Sequence, residues 1–493
     1  MPHHYDLIAV GAGSGGLGAT GIARAFGLKT LLIEARAENV GGDCLNYGCV
    51  PSKALIHVSR LARAAEEAAA YGLTVDGGVD FRAALRHVHA AQARIRAHEN
   101  AEYLREEEGQ PVVIGWARFV DDRTLEVDGE RYTARRIVLA TGSRPRKLDV
   151  PGVDAVEGLH TNHTFFARER DLPRRLLIVG GGAIACEMGQ AMQRLGAAVT
   201  LVNRGTRLLD KELPDYSRRL EDVLVAEGVS RFHESEVEAF PTPNTATVRG
   251  PEGTREIAFD ECLLAIGRDE AVRDMDVERA GIEVDEHGVL RVDDHYRTTN
   301  PRVSAVGDAM GREKLSHGAE MHNRDLIVND LAPWPFGKAH SLANFSWVTF
   351  TDPEVATFGL TAKQLRERGV AFETIEQPFT DDDRAIASGY ADVAKLTLYV
   401  APKRGPLSPF GRGGLVPRKR LLGGTMIAPG AGELIQELAL SLREGLSLDA
   451  IFNKVYAYPV ASRINQKAVM RERQGGLGEG LKGLIRWWWR RRA

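Results

Sequence analysis

A short apolar strand, a glycine-rich turn, a helix and a second apolar strand occur in that order twice along this chain, and no other feature narrows its fold so far. The first copy runs from Leu7-Ile8-Ala9-Val10 through Gly11-Ala12-Gly13-Ser14-Gly15-Gly16 into a helical pattern over Ile22 to Phe26. It continues into a strand from Thr30 to Ile33 that ends on Glu34. This order predicts a dinucleotide-binding βαβ unit. Gly11, Gly13 and Gly16 permit the tight turn and let the backbone approach a pyrophosphate, whose charge meets free N–H groups at the helix start. Glu34 stands where a carboxylate accepts hydrogen bonds from an adenosine ribose.

The second copy has Leu176 to Val179, the turn Gly180-Gly181-Gly182-Ala183-Ile184-Ala185, a helix to Leu195 and a strand from Val199 to Val202. Two nucleotides are therefore expected, the second at Gly180, Gly182 and Ile184. Asn203 replaces the acid, and Arg204 and Arg207 follow it. That removes a carboxylate that would repel a 2′-phosphate and adds cations to hold one. NADPH is expected, with NADH as the alternative. Two arginines on an exposed loop are the competing reading.

The chain has 493 residues, roughly three domains' worth. Its 43% hydrophobic residues can bury large cores, and its net charge of −3 carries no global field toward nucleic acid. No run of about 18 apolar residues suggests a spanning helix. The N-terminus shows no secretory signal, and four cysteines are too few for a secreted disulfide framework, so a cytoplasmic protein is expected.

The predicted architecture is α/β. A first dinucleotide-binding part covers residues 1–150, a second Rossmann-like domain 151–272, a return to the first domain 273–343, an α+β domain 344–470 and a basic, Trp-rich tail 471–493. Helices are predicted at about Lys53 to Tyr71 and Phe81 to Glu107. Three further strands run to Gly142, Gly267 and Gly307-Asp308, each placing glycine where backbone passes close to something. Pro402 to Arg420 reads as a mobile loop between strands.

Cys44 and Cys49 lie in Gly41-Gly42-Asp43-Cys44-Leu45-Asn46-Tyr47-Gly48-Cys49-Val50-Pro51-Ser52-Lys53. With no cysteine or histidine close by to complete a zinc site, and a structural disulfide unexpected in the cytosol, the two read as a redox pair. Pro51 places Cys49 near a helix N-terminus, where the dipole lowers a thiol pKa.

On these motifs the chain closely resembles the flavin-dependent pyridine nucleotide-disulfide reductases, which include glutathione reductase, dihydrolipoamide dehydrogenase and mercuric reductase. The resemblance implies FAD on the first unit, with Glu34 on the ribose, Ala117 near the adenosine, Asp308 on the ribityl chain, and Gly42, Asp43, Lys53 and Gly142 along the site. It implies a pyridine nucleotide on the second unit, toward Gly267, and a homodimer. Cys49 would be the thiol beside the flavin and Cys44 the outer thiol that meets substrate. Lys53 and Glu187 match the family's ion pair near the flavin N5.

Glutathione and lipoamide enzymes carry a C-terminal His-Pro-Thr-x-x-Glu whose histidine acts as base. Here Tyr458 and Arg463 stand at the histidine and glutamate positions, and a phenol is a poor base near neutrality. Mercuric reductases carry tyrosine there, so a mercuric reductase-like protein is the nearest resemblance. Their C-terminal cysteine pair has no counterpart, since Cys186 and Cys262 are single and read as core fillers. No resident metal site is expected. The acceptor is then a disulfide or a thiol-bound metal. The rivals are a lipoamide-type enzyme, a diaphorase or transhydrogenase using flavin alone, and a non-enzymatic redox-sensing or membrane-docked protein.

In the tail, Leu477, Leu481, Leu484, Ile485 and Trp488 recur at helical spacing among Lys482, Arg486 and Arg490 to Arg492. Peripheral contact with an anionic bilayer is one reading. Its glycines argue against a stable helix, so a frayed tail, or one packed on the dimer, is the other.

Overall fold

The computed structural model describes residues 3–75, 77–270, 272, 274–331, 337–402, 419–476 and 479–492. The apolar runs of the first copy form a seven-stranded sheet. Its order is Val112–Ile114, Thr30–Glu34, His3–Val10, Glu130–Leu139, Thr124–Val127 and Arg118–Phe119, with Val303–Ala305 also paired to Glu130–Leu139. Leu32, Ile8, Val138 and Leu139 are fully buried or nearly so, as expected of parallel strands covered on both faces. Parallel pairing sets Val10 beside Ile33 and Leu139, and Leu139 beside Ala305. Segments from far apart in the chain therefore end together at the carboxyl edge of one sheet, the edge where open α/β sheets bind ligands.

The second copy forms its own five-stranded sheet, ordered Ser230–Phe232, Ala198–Val202, Arg175–Val179, Glu261–Leu264 and Leu159–His160. Both sheets belong to one compact unit, Met1–Asp210 with Val223–His340. The other unit is Lys211–Asp222 with Ser341–Ala493. It holds a five-stranded antiparallel sheet ordered Ser346–Thr349, Glu354–Gly359, Leu421–Ala428, Lys395–Val400 and Glu373–Pro378. Helices carrying Ile435, Leu438, Ile464 and Val469 pack on it. Residues 211–222 join this unit through Tyr216, which is fully buried and donates to Thr425 O at 2.9 Å, and through Glu212, which accepts from Trp347 and Thr357.

Some boundaries differ from the sequence reading. The pattern over Phe81 to Glu107 is two helices, Phe81–Arg96 and Ala101–Glu106, because the Asn100 side chain accepts the Tyr103 N–H at 2.9 Å and caps a new start. The strand at Val303 stops at Ala305, and Gly307–Met310 is a 3-10 turn. The tail is helical over Glu479–Arg492 despite Gly480 and Gly483, since the leucine, arginine and tryptophan content outweighs two weak positions. Leu477 and residues 403–418 lie outside the described residues. Among the described residues, no helix is long and apolar enough to cross a membrane.

Candidate active site

The cysteine segment sits directly on the first glycine turn. Gly42 is left-handed (φ +66°), and a Cβ there would lie 2.4 Å from the Gly13 Cα, so only glycine allows the approach. Cys44 lies in the short helix Gly42–Asn46, and Cys49 is the first residue of the helix Cys49–Ala68. The two thiols influence one another, and the Ser316 hydroxyl lies 3.6 Å from Cys49 Sγ. The Cys44 contact, aided by Ser316 and the Lys53 charge and opposed by burial, lowers the Cys49 thiol to about 6. Cys44 is pushed up, chiefly by its contact with Cys49 and then by burial. The surroundings therefore favour the thiolate on Cys49 over one on Cys44.

Lys53 follows one turn later on the same helix. Its Nζ lies 2.7 Å from Glu187 Oε2, on the helix Ala183–Arg194 of the second copy, and Glu187 is only 6% exposed. This pair brings together residues 134 positions apart. The helix N-terminus and the lysine both place positive charge near Cys49.

The first turn has the form an FAD needs. A Cβ at Gly11 (φ +104°) would lie 2.2 Å from Ala140 O, and one at Gly16 would lie 1.8 Å from Gly11 O, so neither turn nor helix start tolerates a side chain. Glu34 Oε2 accepts the Ala12 N–H at 2.8 Å, and burial raises the Glu34 pKa. The Gly115 N–H donates to Glu34 O, which sets Ala117 close to that carboxylate's strand end. Thr141 Oγ1, beside Gly142 (φ +71°), is buried without a hydrogen-bond partner, as a group awaiting a ligand would be. These residues fit a flavin dinucleotide.

Asp308 lies at the same edge. Its carboxylate accepts from Ser143 at 2.5 Å, and burial raises its pKa. Arg268 donates to Ser143 at 2.6 Å and lies 3.0 Å from Asp43. Asp43 also meets His163 at 2.8 Å and Asn162 at 3.2 Å. Burial opposes its ionisation, but His163 and Arg268 hold it below its usual range. Sequence reading named Asp43 and Asp308 but missed Ser143, Asn162, His163, Arg268 and Ser316. The only local signal was the arginine directly after Gly267.

At the second turn, Gly180 (φ +140°) passes within 2.4 Å of Ala265 O for a would-be Cβ, and Gly182 caps the helix that carries Ile184. Gly267 (φ +103°) lies at the end of the neighbouring strand. Asn203 folds back on its own loop, accepting the Gly205 N–H and donating to Arg207 O. Arg204 is exposed, whereas Arg207 donates to Asp210 O at 2.6 Å, so the two arginines are not equivalent. Cys186 and Cys262 are fully buried, and burial raises the Cys262 thiol pKa.

Tyr458 lies in the other unit. It is exposed, with its hydroxyl 3.2 Å from Asp383 and the Arg463 guanidinium 5.3 Å from its ring.

Two dinucleotide turns with an asymmetric thiol pair and a half-buried Lys–Glu contact between them define a two-nucleotide redox protein. The chain matches the pyridine nucleotide-disulphide oxidoreductase profile over residues 5–322 and the dimerisation domain of the same proteins over residues 345–404 and 416–469, and it belongs to that family. It is 31% identical over 464 residues to a mercuric reductase of Streptomyces lividans, covering 92% of this chain and 93% of that protein. It is 32% identical over 502 residues to a dihydrolipoyl dehydrogenase of Haloferax volcanii, covering 98% of each. The HOCl-induced flavoprotein disulfide reductase RclA from Escherichia coli, solved as its Cu(II) complex, shares the fold with a TM-score of 0.79 at 22% identity, over 95% of this chain and 99% of that one. Family members are FAD-dependent oxidoreductases that also use a pyridine nucleotide, and the dimerisation domain supports a homodimer.

Proposed function

We propose that this flavoprotein passes electrons from NADPH to the Cys44–Cys49 pair and on to a disulfide or a thiol-bound metal ion such as Hg(II). The observation that carries the reading is the placement of Cys49 at a helix start beside Ser316 and one turn before Lys53, where its thiol is lowered while that of Cys44 is raised. FAD, when bound on the first turn, relays the two electrons of a hydride toward the oxidised cysteine pair. The protein's own share is to hold the sulfurs and move protons. Two electrons open the Cys44–Cys49 bond to one thiol and one thiolate. Cys44, once it yields its proton to a base, attacks a substrate disulfide and releases one thiol. Cys49 then displaces the second thiol and restores the internal disulfide. Lys53, paired to Glu187, keeps positive charge beside the Cys49 thiolate. The decisive experiment is anaerobic NADPH titration of the FAD-loaded protein, which should develop a long-wavelength thiolate-to-flavin absorption.

A diaphorase or transhydrogenase reading is favoured by one observation: Tyr458 stands where the family's base is expected, and an exposed phenol removes the Cys44 proton poorly near neutrality. Turnover with a quinone unaffected by loss of the thiols would select it.

Support for NADPH comes from Arg204, exposed and without a carboxylate partner among the described residues. Arg204→Glu is expected to raise the KM for NADPH about tenfold or more, by removing a cation and adding repulsion at a 2′-phosphate, with little change for NADH. Equal effects on both coenzymes would reject that role.

A cytoplasmic location fits the sparse cysteines. For the tail, the reading is contact with an anionic bilayer: Leu484, Ile485, Trp487, Trp488 and Trp489 are exposed on the same helix as Arg486, Arg490 and Arg491. Full-length protein should co-sediment with phosphatidylserine vesicles. An equal bound fraction for protein ending at Gly476 would remove the tail from any such role.

A further inference from the structure

Behind the Gly307-Asp308 turn lies a buried cluster that neither the nucleotide turns nor the cysteine pair uses. Gly307 is left-handed (φ +65°), and its N–H donates to His322 Nδ1 at 3.1 Å. His322 is fully buried, and its Nε2 makes no hydrogen bond of ordinary length but lies 3.6 Å from Glu313 Oε2. That same oxygen is 2.8 Å from His340 Nε2. Tyr296 packs against both imidazoles, with ring centroids 5.2 and 6.0 Å away, and donates to Asp325.

Two imidazoles and a carboxylate this close have the makings of a divalent-metal site. The backbone argues otherwise. An amide N–H can only donate, so His322 Nδ1 must keep its lone pair, and the neutral ring then carries its proton on Nε2. That is the atom that would have to bind the metal. Metal-ligating histidines show the reverse arrangement, with the second nitrogen donating its N–H outward. The Glu313 carboxylate instead faces the Nε2–H and fixes the tautomer.

We propose that His322 is a positioning residue for the flavin, clamping the Gly307-Asp308 turn through Nδ1 and releasing it when that nitrogen takes up a proton. The proposal rests on the reading that Asp308 meets the flavin's ribityl chain. Once protonated, Nδ1–H would oppose the Gly307 N–H, and the turn that aims Asp308 would lose its tie. The charged and titratable groups facing His322 are Glu313, His340 and Tyr296. Asp325 lies behind the tyrosine and faces Lys338, and the Arg312 charge acts on Tyr296. Burial opposes ionisation of Glu313, yet the two imidazoles facing it, His322 at 3.6 Å and the hydrogen-bonded His340 at 2.8 Å, hold its carboxyl well below the usual range. Glu313 therefore stays ionised and keeps its negative charge facing the His322 ring.

The test measures FAD retention, by free-flavin fluorescence after dilution of the loaded protein, from about pH 8 to about pH 5.5, across the range where histidine titrates. Wild type should release FAD about tenfold more readily at the acid end, as expected for one lost hydrogen bond to a buried N–H. His322→Gln, whose amide oxygen can accept the Gly307 N–H but cannot titrate, should retain FAD alike at both ends. His322→Leu should bind about tenfold more weakly throughout. Identical pH profiles for wild type and His322→Gln overturn the proposal, even if His322→Leu fails to fold. Stoichiometric zinc in purified protein, lost in Glu313→Gln, overturns it in favour of a metal. A wild-type protein that never retains FAD overturns the flavin reading itself, a separate result.

Discussion

Cys49→Ser protein loaded with FAD is expected to show no long-wavelength absorption on reduction with NADPH, and to turn over disulfides or Hg(II) roughly a thousandfold more slowly. Direct reduction of a quinone should survive. The reason is the asymmetry of the pair: the Cys49 thiol is lowered to about 6 and the Cys44 thiol is raised. Cys44→Ser separates the roles, because it removes the attacking thiol and leaves Cys49 at its helix start beside Ser316. That variant should keep the absorption and lose the turnover. The pH dependence follows from the lowered thiol. With Cys49 at about 6, the thiolate and its absorption are present above that pH and fade as pH falls through it. Absorption that persists in Cys49→Ser would show that this sulfur does not face the flavin.

The second large effect concerns stability. Arg194, the last residue of the helix Ala183–Arg194, holds Glu227 through two contacts, Nη2–Oε1 at 2.6 Å and Nε–Oε2 at 2.8 Å. Both side chains are 5–6% exposed. Glu227→Ala removes both of these contacts from a buried guanidinium and is expected to lower stability by about 3–5 kcal/mol, roughly 10 °C in thermal midpoint. Replacing both partners, as Arg194→Met with Glu227→Leu, should recover part of that loss, because the two charges of this pair are then removed together. A midpoint within about 2 °C of wild type for Glu227→Ala would show that water reaches the pair. Neither substitution touches the cysteine centre, so the absorption measured in the first experiment should be unchanged at low temperature.

Much of the centre was legible because its chemistry is written locally. The five-residue offset of Cys44 and Cys49, with Pro51 after them, sufficed to place Cys49 at a helix start. Gly11, Gly16 and Gly180 stand where any side chain would strike a carbonyl. Arg268 and Ser316 carried no such signature. Each matters through a partner more than a hundred positions away, Ser143 for the arginine and Cys49 for the serine. The helix break at Asn100 was missed because a capping side chain competes with the hydrophobic period, which runs on past it.

The sequence by itself determined the two nucleotide-binding units and the position of the redox thiols, because strand–turn–helix order and glycine stereochemistry act over a few neighbouring residues. Tertiary structure alone decided that Ser316 approaches Cys49, which arginine stays exposed beside Asn203, and how Glu313, His322 and His340 gather behind Gly307. Those outcomes depend on distances of three to four ångströms between segments remote in the chain, and only packing of both sheets into one unit sets such distances.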